Sequence, residues 1–78
     1  FSIYPTVSSG KYTLTFSQVN QFVKIQLINE LGQVVKVIDY INNDASELTF
    51  DLNGFSSGIY YAKVQMGNQY EVAKLIKR

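Results

Sequence analysis

Phe22-Val23-Lys24-Ile25-Gln26-Leu27-Ile28-Asn29-Glu30-Leu31-Gly32-Gln33-Val34-Val35-Lys36-Val37-Ile38-Asp39-Tyr40-Ile41 decides the fold. Val23, Ile25 and Leu27 alternate with Lys24 and Gln26, the period of two that a half-buried strand requires. Glu30-Leu31-Gly32 interrupts the pattern, and a second β-branched run follows from Gln33 to Ile41. Two such runs around a short glycine-bearing turn predict a β-hairpin.

The same alternation extends to both sides. Phe1 to Tyr4 reads as a first strand ended by Pro5, whose fixed φ and missing N–H suit a turn or an edge. Ser8-Ser9-Gly10 reads as a turn into Lys11 to Phe16, where Tyr12, Leu14 and Phe16 share one face. Asn42 to Ser46 is small and polar and reads as loop. Leu48, Phe50 and Leu52 then alternate with Thr49 and Asp51, and Asn53-Gly54 breaks the pattern. Ile59 to Met66 and Gln69 to Lys77 follow, joined by Gly67-Asn68, a two-residue hairpin turn. Pro5, Gly32, Gly54, Gly58 and Gly67 are therefore the structural turn positions. No window sustains a 3.6-residue apolar period, so no helix is expected. Seven short strands predict an all-β fold, a small antiparallel β-sandwich of immunoglobulin-like architecture without the Cys…Trp…Cys signature, with a small open barrel as the alternative.

Composition agrees and narrows the chemistry. The 78 residues are 46% hydrophobic and 14% aromatic, enough for one packed domain and too short for two. Seven Lys and Arg against six Asp and Glu leave a net charge of +1, too balanced to attract a phosphate backbone. No apolar run reaches the roughly 18 residues of a membrane-spanning helix. The chain opens on Phe1 and enters a strand at once, so it is read as excised from a longer precursor.

With neither histidine nor cysteine, the chain lacks the usual base at neutral pH, the Ser-His and Cys-His pairs and the commonest transition-metal ligands. Glu30, Asp39, Asp44, Glu47, Asp51 and Glu71 are scattered, which disfavours a paired-carboxylate site. Asp51-Leu52-Asn53-Gly54 opens like a calcium loop, but Ala62 stands where the closing Glu belongs. The preferred reading is a turn in which Asp51 and Asn53 bond the backbone and Gly54 takes positive φ. No cofactor and no metal are expected. Tyr4, Tyr12, Tyr40, Tyr60, Tyr61 and Tyr70 could stack on sugars or bases, yet they fall on different strands, and half or more are expected in the core or in cross-strand pairs. Tyr60 and Tyr61 must face opposite ways, and either could form a tyrosine corner.

Three stretches in order resemble the type A C-terminal sorting domain of the Bacteroidetes type IX secretion system. The opening Phe1-Ser2-Ile3-Tyr4-Pro5 with Gly10 and Tyr12-Thr13-Leu14 resembles the family's first two strands, although Thr6-Val7 replaces its Asn-Pro. Val23 to Val35 resembles the central hairpin with its Gly-Gln turn. Leu52-Asn53-Gly54-Phe55-Ser56-Ser57-Gly58-Ile59-Tyr60-Tyr61-Ala62-Lys63-Val64, followed by Lys74-Leu75-Ile76-Lys77-Arg78, is the strongest match. The resemblance implies a non-catalytic signal that carries a cargo through the periplasm and across the outer membrane to the cell surface or medium. Its partners would be an outer-membrane translocon and a sortase-like peptidase that removes the domain, with Lys74, Leu75, Ile76, Lys77 and Arg78 as the recognition residues. Edge-strand self-association is a further expectation. The alternative functions are a fibronectin-like or carbohydrate-binding accessory module of a secreted enzyme, or a structural spacer. On composition alone, the basic cluster of Lys74, Lys77 and Arg78 would be solubilising edge charge.

Overall fold

A computed structural model describes residues 2–15, 21–42 and 47–78. The strands in these segments are β1 (Ser2–Tyr4), β2 (Val7–Ser8), β3 (Lys11–Thr15), β4 (Gln21–Asn29), β5 (Val34–Asn42), β6 (Glu47–Asp51), β7 (Gly58–Met66) and β8 (Gln69–Lys77). They form a three-stranded sheet, β1-β3-β6, and a five-stranded sheet, β2-β8-β7-β4-β5. The chain is thus all-β among the described residues, a small sandwich of roughly immunoglobulin-like form. Phe1 and Phe16, expected at strand ends, and positions 43–46 of the expected loop lie outside the described residues.

The expected hairpins form as read. β4 pairs antiparallel with β5, and β7 with β8 from Gly58↔Lys77 to Met66↔Gln69. β7 also pairs with β4, setting Ile25 beside Val64 and Leu27 beside Ala62 on one face. Asn29 fixes the β4–β5 turn: its side-chain oxygen accepts the Leu31 and Gln33 N–H groups at 2.9 and 3.0 Å, and its amide donates to Gln33 Oε1 at 2.9 Å. This is the Asx capping that short polar side chains offer a turn.

The alternating residues meet between the sheets. Tyr12, Leu14, Phe50 and Leu52 from one side face Val23, Ile25, Leu27, Tyr60, Ala62, Val64 and Leu75 from the other, all buried. Tyr12 stacks on Phe50 with ring centroids 5.7 Å apart. Burying each of these larger side chains contributes about 1.5–3 kcal/mol relative to exposure, so the inward faces hold the sandwich shut.

Two details differ from the sequence reading. Val7–Ser8 is a separate strand rather than part of a turn, so eight strands are described, and it pairs parallel with Ile76–Lys77 in a sandwich expected to be antiparallel. Two residues carry no periodicity, and their partner lies far along the chain. Leu52 falls just outside β6, where its N–H donates to the Gly10 carbonyl at 2.8 Å and its side chain completes the core.

Candidate recognition site

Alternation along β8 divides the five residues from Lys74 to Arg78. Leu75 points inward and is fully buried, whereas Lys74 and Ile76 lie on the exposed outer face. Lys77 returns to the inner side, half-buried, where its ammonium donates to the Phe55 carbonyl. Arg78 is exposed beyond the strand. The five therefore do not form one surface: Leu75 and Lys77 belong to the architecture, and Lys74, Ile76 and Arg78 are presented to solvent.

Three further bonds tie down this end of the strand. The Ile76 N–H donates to the Thr6 carbonyl and the Arg78 N–H to the Ser8 carbonyl, each at 2.8 Å. The Tyr12 hydroxyl crosses from the opposite sheet and donates to the Ile76 carbonyl at 2.7 Å. Burial raises the Tyr12 pKa above its ordinary value, and the nearby Arg78 guanidinium offsets part of that rise. The Ser8 hydroxyl accepts the Gly10 and Lys11 N–H groups at 3.1 and 3.0 Å, fixing the approach of β2. Sequence does not mark Tyr12 or Ser8 as a site residue, because alternation marks the one only as core and turn composition the other only as loop.

The segment from Leu52 to Tyr60 joins the same end of the molecule. Asn53 N–H donates to Asp51 Oδ1 at 3.2 Å, Phe55 N–H donates to the Leu52 carbonyl at 3.1 Å, and Gly54 has φ 90°, so Asp51 and Gly54 act as the expected turn residues while Asn53 takes part through its backbone N–H. Gly32 and Gly67 also take positive φ, 82° and 60°, at their turns. Pro5 follows β1 directly. Gly58 also has a demanding position: its φ is 150°, and a Cβ there would stand 2.8 Å from Glu30 Oε1. That carboxylate accepts the Ile59 N–H at 3.0 Å, linking the β4–β5 turn to the start of β7. Tyr60 donates to the Ser56 carbonyl at 2.6 Å, a tyrosine corner, while its neighbour Tyr61 faces outward. The central hairpin, the Leu52–Tyr60 segment and the end of β8 thus converge through Glu30, Gly58 and Lys77. Glu30 could not be found by pattern, since its partner is 29 positions away.

Among the described residues, the carboxylates near this end are engaged within the fold. Glu30 and Asp51 each accept a backbone N–H, and Glu47 accepts the Tyr4 hydroxyl at 2.7 Å. Among the described residues, no three His, Cys, Asp or Glu side chains lie together as metal ligands would. Of the tyrosines whose side chains are described, Tyr12 and Tyr60 are buried and Tyr4, Tyr61 and Tyr70 are exposed. Tyr4 pairs with Thr13 on the outer face of the three-stranded sheet, and Tyr61 and Tyr70 lie on the outer face of the other. Lys63 Nζ sits 4.6 Å from the Tyr70 ring centroid and occupies one face of that ring. The exposed tyrosines do not form a common stacking platform.

The family described as the secretion system C-terminal sorting domain matches residues 2–78. No curated protein matches the chain significantly.

Proposed function

Since the chain belongs to the secretion system C-terminal sorting domain family, the sorting signal of the type IX system, we propose that it is the non-catalytic address of a larger exported protein. The cargo does the biochemistry. The domain travels through the periplasm, is recognised by the outer-membrane translocon, and is then removed by a sortase-like peptidase, leaving the cargo at the cell surface or in the medium. The observation that carries this reading is the extent of the family match, which runs through both sheets and all eight described strands.

The geometry supports the same division of labour. Buried Leu75 and the tethered Lys77 keep the last strand folded, while Lys74, Ile76 and Arg78 are exposed for recognition. A carbohydrate-binding role would require outward aromatics on one surface, and Tyr4 is separated from Tyr61 and Tyr70 by the thickness of the sandwich.

The test is sufficiency. A fluorescent reporter carrying a signal peptide and followed by this chain, with a short linker, is expected in the culture medium or on the surface of a host with a type IX system. Retention in the periplasm, while a proven sorting domain exports the same reporter, overturns the proposal.

A further inference from the structure

The five-stranded sheet ends at β8 in an edge that is open over most of its length. β2 covers β8 only at Ile76 and Lys77. Because the Ile76 N–H points toward β2, the alternation of a strand turns the N–H and C=O groups of Tyr70, Val72 and Lys74 to that same side. Among the described residues none of these groups meets a partner there. The open stretch is Gln69 to Leu75, with Val72 at its midpoint.

The other edges carry features that oppose pairing. β1 has three residues and runs into Pro5. Pairing β6 with itself about Thr49 would set Glu47 against Asp51 of the second copy, carboxylate against carboxylate. β5 has a register shift opposite Leu27/Ile28, and its Lys36 points inward beside Leu27, donating to the Asp51 carbonyl at 3.4 Å. Bulges and inward charges are the devices that blunt an edge. β8 has the opposite character, with Tyr70 and Val72 exposed at 61% and 55%.

We infer that β8 is a homodimerisation edge, on which a second copy of this chain pairs antiparallel about Val72. The two-fold axis at Val72 sets Gln69–Leu75 against Leu75–Gln69 of the second copy, so the pairing fills the open stretch and stops where β2 begins. Tyr70, Val72 and Lys74 each exchange two backbone hydrogen bonds with the second copy. On the outer face Tyr70 meets Lys74 of the second copy on both sides of the axis, repeating the Lys63–Tyr70 contact within each chain. Glu71 meets Ala73. The Tyr70–Lys74 pair is the electrostatic complementarity of this self-paired edge, and no like charges stand directly opposite one another to oppose it. This inference is independent of the sorting function.

The absence of native cysteine allows a clean test. Val72→Cys places two thiols opposite each other at about 5.5 Å between Cα atoms, inside the roughly 4.4–6.8 Å that a disulfide spans. Tyr70→Cys or Lys74→Cys places them four residues apart along the strand, about 14 Å at 3.4 Å per residue. Under mild oxidation of the 78-residue chain, Val72→Cys is expected to form covalent dimers faster than either control. Adding Tyr70→Lys should abolish that advantage by opposing Lys74, and further adding Lys74→Glu should restore it by setting opposite charges across the seam. Circular dichroism of each variant verifies the fold. Cross-linking of folded Val72→Cys no faster than the two controls, or indifferent to the charge exchange, overturns the inference and leaves this edge to a different protein.

Discussion

One strand has two halves with different physics. From Leu75 to Lys77, β8 is held by a buried side chain, by β2 alongside, by the Tyr12 hydroxyl from the other sheet and by the lysine bond to Phe55. From Gln69 to Lys74 the same strand pairs only with β7, and every side chain except Ala73 is exposed. The proposed recognition role needs a strand that is ordered without being consumed by its own fold, and this division is compatible with both demands. The anchored half supplies a fixed backbone, and the open half supplies free edge and accessible charge. A strand anchored along its whole length would have nothing to offer a partner.

The sharpest way to break the comparison is to truncate one side chain in each half. Leu75→Ala removes a fully buried side chain and is expected to cost about 2–5 kcal/mol of unfolding free energy, because the sandwich collapses only partly around the cavity. Val72→Ala, on an exposed surface, should stay within about 0.5 kcal/mol. Urea unfolding of the two variants measures both values. Equal losses would show that the open half is as much a part of the fold as the anchored half.

Sequence patterning revealed this contrast only in part. Alternation sets Val23, Ile25 and Leu27 inward and groups Tyr12 with Leu14, and Leu48 with Phe50 and Leu52, on one face each; all of these are buried except half-buried Leu48, because a period of two fixes which side of a sheet a residue occupies. Turn chemistry placed Gly32, Gly54 and Gly67, because positive φ has few tolerant residues. The anchors were illegible for a different reason. β2 is two residues long, and the bonds from Tyr12 to Ile76 and from Glu30 to Ile59 join positions 64 and 29 apart. Nothing local in Lys74-Leu75-Ile76-Lys77-Arg78 separates a lysine held by a carbonyl from one facing solvent. Sequence therefore presents Lys74 to Arg78 as one run, whereas the fold divides it into buried or tethered residues and exposed ones.

A smaller effect isolates the bond that crosses between the sheets. Burial raises the Tyr12 pKa in the folded state, so the neutral phenol is the form that folding favours. Its contribution to stability is fully present below the unfolded value of about 10 and is lost as pH rises through that value toward the folded one. Tyr12→Phe should cost about 0.5–1.5 kcal/mol near neutral pH, since the Ile76 carbonyl loses its donor. It should also flatten the fall in stability above about pH 10. Some slope should remain, because the Tyr4 pKa is also raised, by its hydrogen bond to Glu47. Unfolding curves on either side of pH 10 would distinguish these contributions, and an identical alkaline slope in parent and variant would remove Tyr12 from the anchoring account.

The smallest effect on stability is expected to be the largest on export. Lys74 and Arg78 are exposed, whereas the Lys77 ammonium is committed to the Phe55 carbonyl. Replacing Lys74 and Arg78 together by glutamine should therefore change unfolding free energy by no more than about 1 kcal/mol, the range of exposed charges. If these cations are read by the translocon, the reporter fused to this double variant will be retained in the periplasm although the domain melts as the parent does. Lys77→Gln serves as the contrasting variant: it weakens an internal contact, so any export defect should follow its loss of stability. Thermal melts and immunoblots of cell fractions and medium give the two readings side by side. Full export of the Lys74→Gln/Arg78→Gln variant would move recognition off the exposed charges and onto the backbone edge or the apolar outer face. A melting temperature lowered as much as in Lys77→Gln would instead show that these exposed cations carry structural charge, and the contrast between the tethered Lys77 and its exposed neighbours would fail.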